Sequence, residues 1–390
     1  MAKRVVAVLF GGRSCEHEVS ILTAHEAMAV LNATPGCDVV PIYVTKEGRW
    51  LTGEALGRLD KFSRPELLER ECRPLILRPM TSDPIMVETG GWRSSLRPLK
   101  IDVVLPLLHG PNGEDGTLQG LLEMLGLAYA GSGVLASALC MNKIAMKRSF
   151  ESAGIPQVPY IGTGRSMWDS DEASVLATVS ALCDGPVFVK PARGGSSIGI
   201  TRVETGAELV SAIELALRFD DEVVVEAALA DALEVNCAVL ESGGHVTTSA
   251  LEAVHADGGF LSYDQKYLQW SKGTPAKGTG KHEVPAVLPE ATAERVRELA
   301  KTAFEVCGCE GVARVDFLVH GDDVFVNEIN TLPGSLAFYL WEAVGMPFGE
   351  LLDSLLVSAI AKAKRQSSLT FCLDRNLLAD IEARKGTKTG

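Results

Sequence analysis

The stretch Val312 to Asn330, VARVDFLVHGDDVFVNEIN, decides how the chain is read. Two short apolar, β-branched runs flank the turn signal His320-Gly321-Asp322-Asp323, the pattern of a hairpin. Side chains alternate between the faces of a strand, so Arg314 and Asp316 share one face, and Glu328 and Asn330 share another. A three-residue loop, Gly321 to Asp323, sets Asp316 opposite Glu328 and Arg314 opposite Asn330. A loop of two or four residues sends the pairs to opposite faces, because a one-residue slip flips every side chain. In the first register two carboxylates, an amide oxygen and a guanidinium share one patch. Such oxygens are the hard ligands that Mg²⁺ selects, and an adjacent Arg can hold a phosphate or a developing oxyanion. The competing reading is a hairpin with a solvated polar face.

Outward from the hairpin, the 390 residues are too many for one typical core and predict two or three domains. Apolar residues make up 46% and charged ones 22%, as in a globular protein. A net charge of −13 argues against a nucleic-acid surface. The nine scattered cysteines follow neither a zinc nor a disulfide spacing and read as reduced thiols in a cytoplasm, with Cys307-Gly-Cys309 structural. The N-terminus lacks a signal-peptide pattern, and no run reaches membrane-spanning length.

Arg4 to Phe10 reads as a buried strand entering the turn Gly11-Gly12, with helical spacing over Val19 to Leu31, the opening of a βαβ unit. Strands follow over Asp38–Val44 and Asp102–Leu108. The latter runs through His109 into the Gly-rich GPNGEDGTLQG at 110–120 and a helix through Leu125. Residues 1–140 thus form an open α/β domain, with 48–100 an insertion of short strands and loops. Ligands of such sheets bind beyond the carboxyl ends of the strands, where Glu16 and His109 fall. Glu16 is placed to hold an ammonium, and helix capping by Ser14 is the alternative.

A helix over Asn142–Ala153 precedes strands near Val158 and over Pro186–Lys190, and PARGGSSIGITRV (191–203) then reads as a Gly/Ser-rich phosphate flap. It is not a Walker loop, and a mobile hairpin turn is the plainer reading. Strands over Val223–Glu226 and Glu234–Leu240 are joined by the hinge AALADAL. Helices at Glu290–Val306, with Val296, Leu299, Ala300, Ala303 and Phe304 as its apolar stripe, and at Phe348–Ala363 complete the pattern.

Seven motifs, GGRSCEHEVS, LHGPNGEDGTLQG, GSGVLASALCMNK, VFVKPARGGSSIG, YDQKY, RVDF and NEINTLPG, occur in this order. Together they resemble the D-alanine–D-alanine ligases of the ATP-grasp superfamily over about residues 4–360. The resemblance implies an α/β, three-domain ATP-grasp fold with an N-terminal parallel-sheet (pre-ATP-grasp) domain. Its divisions are 1–140, a central small domain at 141–235, a C-terminal domain with the metal site at 236–364, and a tail at 365–390. It implies ATP and two Mg²⁺, with Mn²⁺ as a substitute. Small-molecule D-amino acids are the substrates, with no nucleic-acid or membrane partner, in a cytoplasmic homodimer.

Carried over by position, Lys143 and Lys190 match phosphate-binding lysines. Glu226, Leu229 and Glu234 match adenine and ribose contacts, Phe260 a ring against the adenine, and Lys266 a further phosphate contact; at the nucleotide-binding hinge Ala227 stands where the family often has Lys, so adenine recognition there rests more on backbone groups and Glu226. Asp316, Glu328 and Asn330 match metal ligands, and Arg314 and the Gly334 backbone match oxyanion stabilisers. Glu16 matches the anchor of the first substrate's ammonium, linked through Ser196 and Tyr267, with His109 nearby. The sequence departs from the family at Ser335–Trp341, where a run of small hydroxyl residues is common. Ser335, Tyr339 and Leu340 are expected to line the second-substrate pocket, the Tyr339 phenol standing where a Ser would hold the substrate carboxylate. The resulting expectation is ATP-dependent joining of two D-alanines through an acyl phosphate, for peptidoglycan precursors. A different second substrate, or a nucleotide-binding regulator without catalysis, are the alternatives.

Overall fold

The computed structural model describes residues 3–79, 81–89, 95–255 and 281–371, together with 373 and 377. Phe260, Lys266 and Tyr267 lie outside the described residues, as do 378–390 of the tail.

The first sheet contains β1 (Arg4–Gly11), β2 (Cys37–Val44), β3 (Trp50–Thr52), β4 (Arg73–Leu77), β5 (Ile85–Thr89), β6 (Ser95–Pro98) and β7 (Val103–Pro106). Its order is β6-β5-β4-β3-β2-β1-β7. Only β2, β1 and β7 run parallel; β3 to β6 extend the sheet as antiparallel strands, which is where the 48–100 stretch goes. Strand β1 is central and parallel on both sides, so its residues Val6 to Phe10 are almost wholly buried, as its unbroken apolar run requires. At its end Gly11 has φ +93°, and a Cβ there would lie 2.3 Å from the Val44 carbonyl oxygen, so only glycine fits.

The second sheet, β8 (Tyr160–Gly164), β9 (Val187–Pro191), β10 (Thr201–Val203) and β11 (Glu222–Ala227), has the order β10-β9-β11-β8 and is antiparallel throughout. The third, β12 (Leu233–Ser242), β13 (His245–His255), β14 (Lys281–Glu283), β15 (Val312–His320) and β16 (Asp323–Asn330), has the order β14-β13-β12-β15-β16. The helix Glu290–Val306 packs its expected stripe under the third sheet, all five residues being buried, beside Met146 and Phe150 of the helix Lys143–Ser152. The final helix, Phe348–Ser367, instead shares a core with the first sheet. Leu351, Leu352 and Leu355 pack in one cluster with Phe10, Leu31 and Leu105. The last stretch of chain therefore ties the third sheet back to the first. Among the described residues every cysteine is free, with Cys307 and Cys309 buried, and no helix is long and apolar enough to cross a membrane.

Candidate active site

The hairpin of β15 and β16 has the expected pairing, Arg314 opposite Asn330 and Asp316 opposite Glu328, but reaches it by another route. The loop has two residues, since His320 pairs with Asp323, and that loop alone would put the pairs on opposite faces. A bulge corrects the slip: Phe317 pairs with Val326, so Asn327 is the extra residue that restores the face.

The same face extends across the sheet. Asp316 pairs with Asn236 on β12, and Asn236 pairs with Glu252 on β13. Glu328, Asp316, Asn236 and Glu252 thus form one polar row over four neighbouring strands, about 14 Å long at the usual strand spacing. Above it lies a cavity of about 610 Å³, whose lining includes Glu328, Asn236 and Glu252 of the row, together with Glu16, His109 and Tyr339, while Asp316 is buried.

At one end of the row the acids meet cations. Arg314 donates to both Asp316 oxygens, at 2.6 and 2.7 Å, and Asn330 Nδ2 donates to Oδ2 at 3.0 Å. Burial would discourage the Arg314 charge, but Asp316 outweighs that and keeps the guanidinium firmly protonated. Lys143 Nζ stands 3.6 Å from Glu328 and donates to the Gly194 carbonyl at 2.7 Å. Among the described residues no three His, Cys, Asp or Glu side chains gather as a self-sufficient metal cage. Two carboxylates and an amide that leave phosphates and waters to complete the shell fit Mg²⁺, which usually keeps such ligands. Arg314 and Lys143 already occupy that acidic patch as counter-charges.

Asn142 caps the helix Lys143–Ser152 through bonds of 3.0 Å to the Ile144 and Ala145 N–H groups, which fixes Lys143 at its first turn. Lys147, one turn on, was missed in the sequence, although its i, i+4 spacing from Lys143 marks the same face. It is fully buried in ion-pair contact, 2.8 Å, with Glu226, whose other oxygen pairs with Lys190. Burial alone would raise the Glu226 carboxyl, but the two ammonium charges hold it down to about 2. Both Glu226 oxygens serve lysines, because a buried carboxylate takes the nearest cations. The Ala227 N–H is likewise committed, to the Pro159 carbonyl at 3.0 Å. Leu229 is half-buried, and Glu234 lines the cavity.

From the first sheet, Glu16 follows β1 and its carboxylate accepts a hydrogen bond from the Ser196 hydroxyl of the Gly/Ser turn. Ser14 does not cap the helix that begins at His17; its hydroxyl donates to the His109 carbonyl at 2.7 Å and accepts from the Glu16 N–H at 3.1 Å. Ser196 and Ser197 adopt left-handed φ values of 54° and 60°. The turn thus folds across the cavity and meets the first sheet. Buried His109 lies 3.1 Å from the Thr23 hydroxyl, and burial pushes its imidazole down to about 4, so it is neutral at pH 7. Glu114, also missed, accepts from the Gly110 N–H at 2.5 Å; burial, then the charge of Glu16, pushes it well above the usual carboxylate range. Its signal was its place in the Gly-rich loop beyond the carboxyl end of β7.

The segment after Pro333 makes a single left-handed turn: Ser335, Leu336 and Ala337 have φ of 49°, 53° and 51°. Such residues cost about 1–2 kcal/mol each. Buried Leu336 and Ala337 hold the turn, with Ser335 donating to Glu26 at 2.5 Å. The turn brings Tyr339 into the cavity, but Leu340 is wholly buried in the apolar core and does not line it, contrary to expectation, because the following helical residues alternate between cavity and core. The Tyr339 phenol was expected to donate to a substrate carboxylate. In the structure its proton goes to Glu252, at 2.7 Å, the strong acceptor within reach of a buried phenol.

Three sheets with this cavity over the third have the ATP-grasp fold. The chain belongs to the D-alanine–D-alanine ligase family: residues 5–132 match its model "D-ala D-ala ligase N-terminus" and 149–357 match "D-ala D-ala ligase C-terminus". A D-alanine–D-alanine ligase of Bradyrhizobium sp. BTAi1 is 40% identical over 93% of this chain and 97% of its own length. One of Kineococcus radiotolerans is 42% identical over 92% and 96%. The solved D-alanine-D-alanine ligase of Coxiella burnetii superposes with a TM-score of 0.79 at 30% identity, covering 98% of this chain and all of its own. The VanG D-Ala:D-Ser ligase of Enterococcus faecalis gives 0.77 at 32%, over 92% and 99%.

Proposed function

We propose that the chain joins two D-alanines with ATP, releasing ADP and phosphate, to supply a dipeptide for peptidoglycan synthesis. The observation that carries this is the cation-and-carboxylate end of the polar row, Arg314, Asp316, Glu328 and Lys143, across the cavity from Glu16 and Ser196. A carboxylate is a poor electrophile, and phosphorylating it requires positioning and charge neutralisation more than covalent help from the protein. Glu16, steadied by Ser196, receives the ammonium of the first D-alanine and aims its carboxylate toward the lysines. Lys143 and Lys190 meet the phosphates, with Glu226 holding Lys190 through one oxygen while its other oxygen pairs with Lys147. Asp316, Glu328 and Asn330 would hold Mg²⁺, which when bound neutralises the phosphate oxygens. Arg314 and the Gly334 N–H stabilise the oxyanion as the second amine attacks and phosphate leaves. The Gly/Ser turn excludes water that would hydrolyse the acyl phosphate. The neutral His109 adds no competing charge beside the first substrate.

The test is a coupled assay for ADP and phosphate with purified protein, ATP and Mg²⁺, and the product identified by mass. One ADP and one phosphate per D-alanyl-D-alanine are expected. ATP cleavage that is independent of D-alanine, or that yields AMP, would contradict the reading.

A further inference from the structure

Three buried thiols meet behind the wall of the cavity. Cys140 Sγ lies 3.8 Å from Cys309 Sγ and is also hydrogen-bonded to Cys307. Cys140 is 7% exposed, Cys309 6% and Cys307 1%, and of the three Cys140 lines the cavity. Cys307-Gly308-Cys309 reaches this place by closing the helix Glu290–Val306. The Gly308 N–H donates to the Glu305 carbonyl and the Cys309 N–H to the Phe304 carbonyl, each at 3.0 Å, with Gly308 at φ +66°. That left-handed closure turns the chain back under the helix, and both sulfurs end in the same apolar cluster as Cys140.

A single buried cysteine behaves as a small hydrophobe. Thiols in contact differ, because one can donate a proton while its neighbour becomes the nucleophile. The bonds to Cys307 and Cys309, together with burial, raise the Cys140 thiol well above its ordinary value, whereas the bond from Cys140 lowers Cys307. The thiolate, the form that reacts with oxidants, is thus favoured on Cys307, with Cys140 beside it as the second thiol. The cluster is also linked to the phosphate end of the cavity. Cys140 lies in the last turn of the helix Val134–Met141, and Asn142 and Lys143 follow at once. The opposite side is anchored: the N–H and the carbonyl of Glu310 both bond the Ser132 hydroxyl at 3.2 Å.

We propose that Cys140 and the Cys307–Cys309 pair form an oxidation site for a water-sized peroxide that enters through the cavity, closing a disulfide from Cys140 to one of the pair. The Cys307 sulfur attacks one peroxide oxygen and the O–O bond breaks, leaving a sulfenic acid and releasing water. The Cys140 sulfur then attacks the Cys307 sulfur; the S–S bond forms, the S–O bond breaks, and the hydroxyl leaves with the Cys140 proton as a second water. Two thiols thus lose two electrons and two protons to one hydrogen peroxide. The new bond draws Cys140 toward the anchored side and moves Lys143 from its 3.6 Å contact with Glu328. The bridge itself is independent of the ligase reading, and only its kinetic consequence rests on it.

The test treats the full chain with hydrogen peroxide, alkylates the remaining thiols after denaturation and maps the cross-linked peptides by mass. The peptide carrying Cys140 should be joined to the one carrying Cys307 and Cys309. In the oxidised protein kcat/KM for ATP should fall about tenfold, the scale of a small misplacement of a phosphate-binding lysine, and dithiothreitol should restore it. Bridge and loss should both be absent in Cys140→Ala, and also in the double variant Cys307→Ala/Cys309→Ala, which serves where Cys140→Ala fails to fold. Cys140 recovered fully alkylated from peroxide-treated protein overturns the proposal, as does a bridge that leaves the ATP kinetics unchanged. A loss that persists in the variants also overturns it, since it then belongs to another thiol, such as exposed Cys15. Reduced protein without D-alanine-dependent turnover overturns the ligase reading instead, and the peptide map still decides the bridge.

Discussion

The two ends of the polar row use the same side chain for different work. At one end Asp316 and Glu328 are matched by Arg314 and Lys143, full positive charges. At the other Glu252 is matched by a phenol and an amide, with His282 beside it. Acids held by exchangeable cations sit where a metal and phosphates can take over as counter-charges. An acid held by neutral donors keeps its own charge and fixes the direction in which those donors point. The lesson is that the partner, more than the carboxylate, distinguishes the two ends.

The largest effect that would break this comparison is on turnover. Glu328→Gln removes a carboxylate from the cation-matched end and should lower kcat by about a thousandfold, since a metal clamp on phosphoryl oxygens contributes several kcal/mol. Steady-state phosphate release reads it, and a loss under tenfold would place Glu328 outside the chemistry.

Next is stability at the buried lysine pair. Glu226→Ala leaves fully buried Lys147 uncompensated and should cost about 3–5 kcal/mol in denaturant unfolding. The same group predicts a pH dependence. Its folded value, about 2, lies below its ordinary 4.5, so its stabilisation is complete above 4.5 and is lost as pH falls through about 2. That contribution is on the order of 3 kcal/mol. Glu226→Gln should flatten the acid fall of stability in that window, and an unchanged profile would remove the ion pair from the account.

Smaller effects concern the Gly/Ser turn. Bound nucleotide should slow hydrogen exchange at Ser196 and Ser197, because fixing such a turn costs conformational entropy that a ligand must offset. Equal exchange with and without nucleotide would contradict this. Gly195→Ala should have the smallest effect, since the added Cβ meets the Glu16 carboxylate at 3.1 Å and a small shift accommodates it. The KM of the first substrate should rise a few-fold, with kcat little changed.

The cation-matched end was legible because it lies within one hairpin. Alternation placed Arg314, Asp316, Glu328 and Asn330 on one face, and only the route, a bulge at Asn327 in place of a third loop residue, was hidden. Central strand β1 and the stripe of Glu290–Val306 were legible for the same reason, a local period. The other end brings together Asn236, Glu252, His282 and Tyr339, which lie far apart in the chain, so no local period joins them. Left-handed backbone at three non-glycine residues, Ser335 to Ala337, also has no sequence signal, and it decided that Tyr339 faces the cavity while Leu340 enters the core. Lys147 lay one turn from Lys143 and was within reach of the pattern; its pairing with Glu226, on strand β11 far along the chain, was not.

The separation of the two ends is tested most directly by counting bound cations. Mn²⁺ titrated into the protein with ADP and phosphate present, and followed by electron paramagnetic resonance, should show two bound ions per chain. Glu328→Gln should bind fewer or bind them at least tenfold more weakly, and Tyr339→Phe should match the wild type. Unaltered binding in Glu328→Gln, or a loss of binding in Tyr339→Phe, would contradict the assignment of phosphoryl chemistry to the cation-matched end alone.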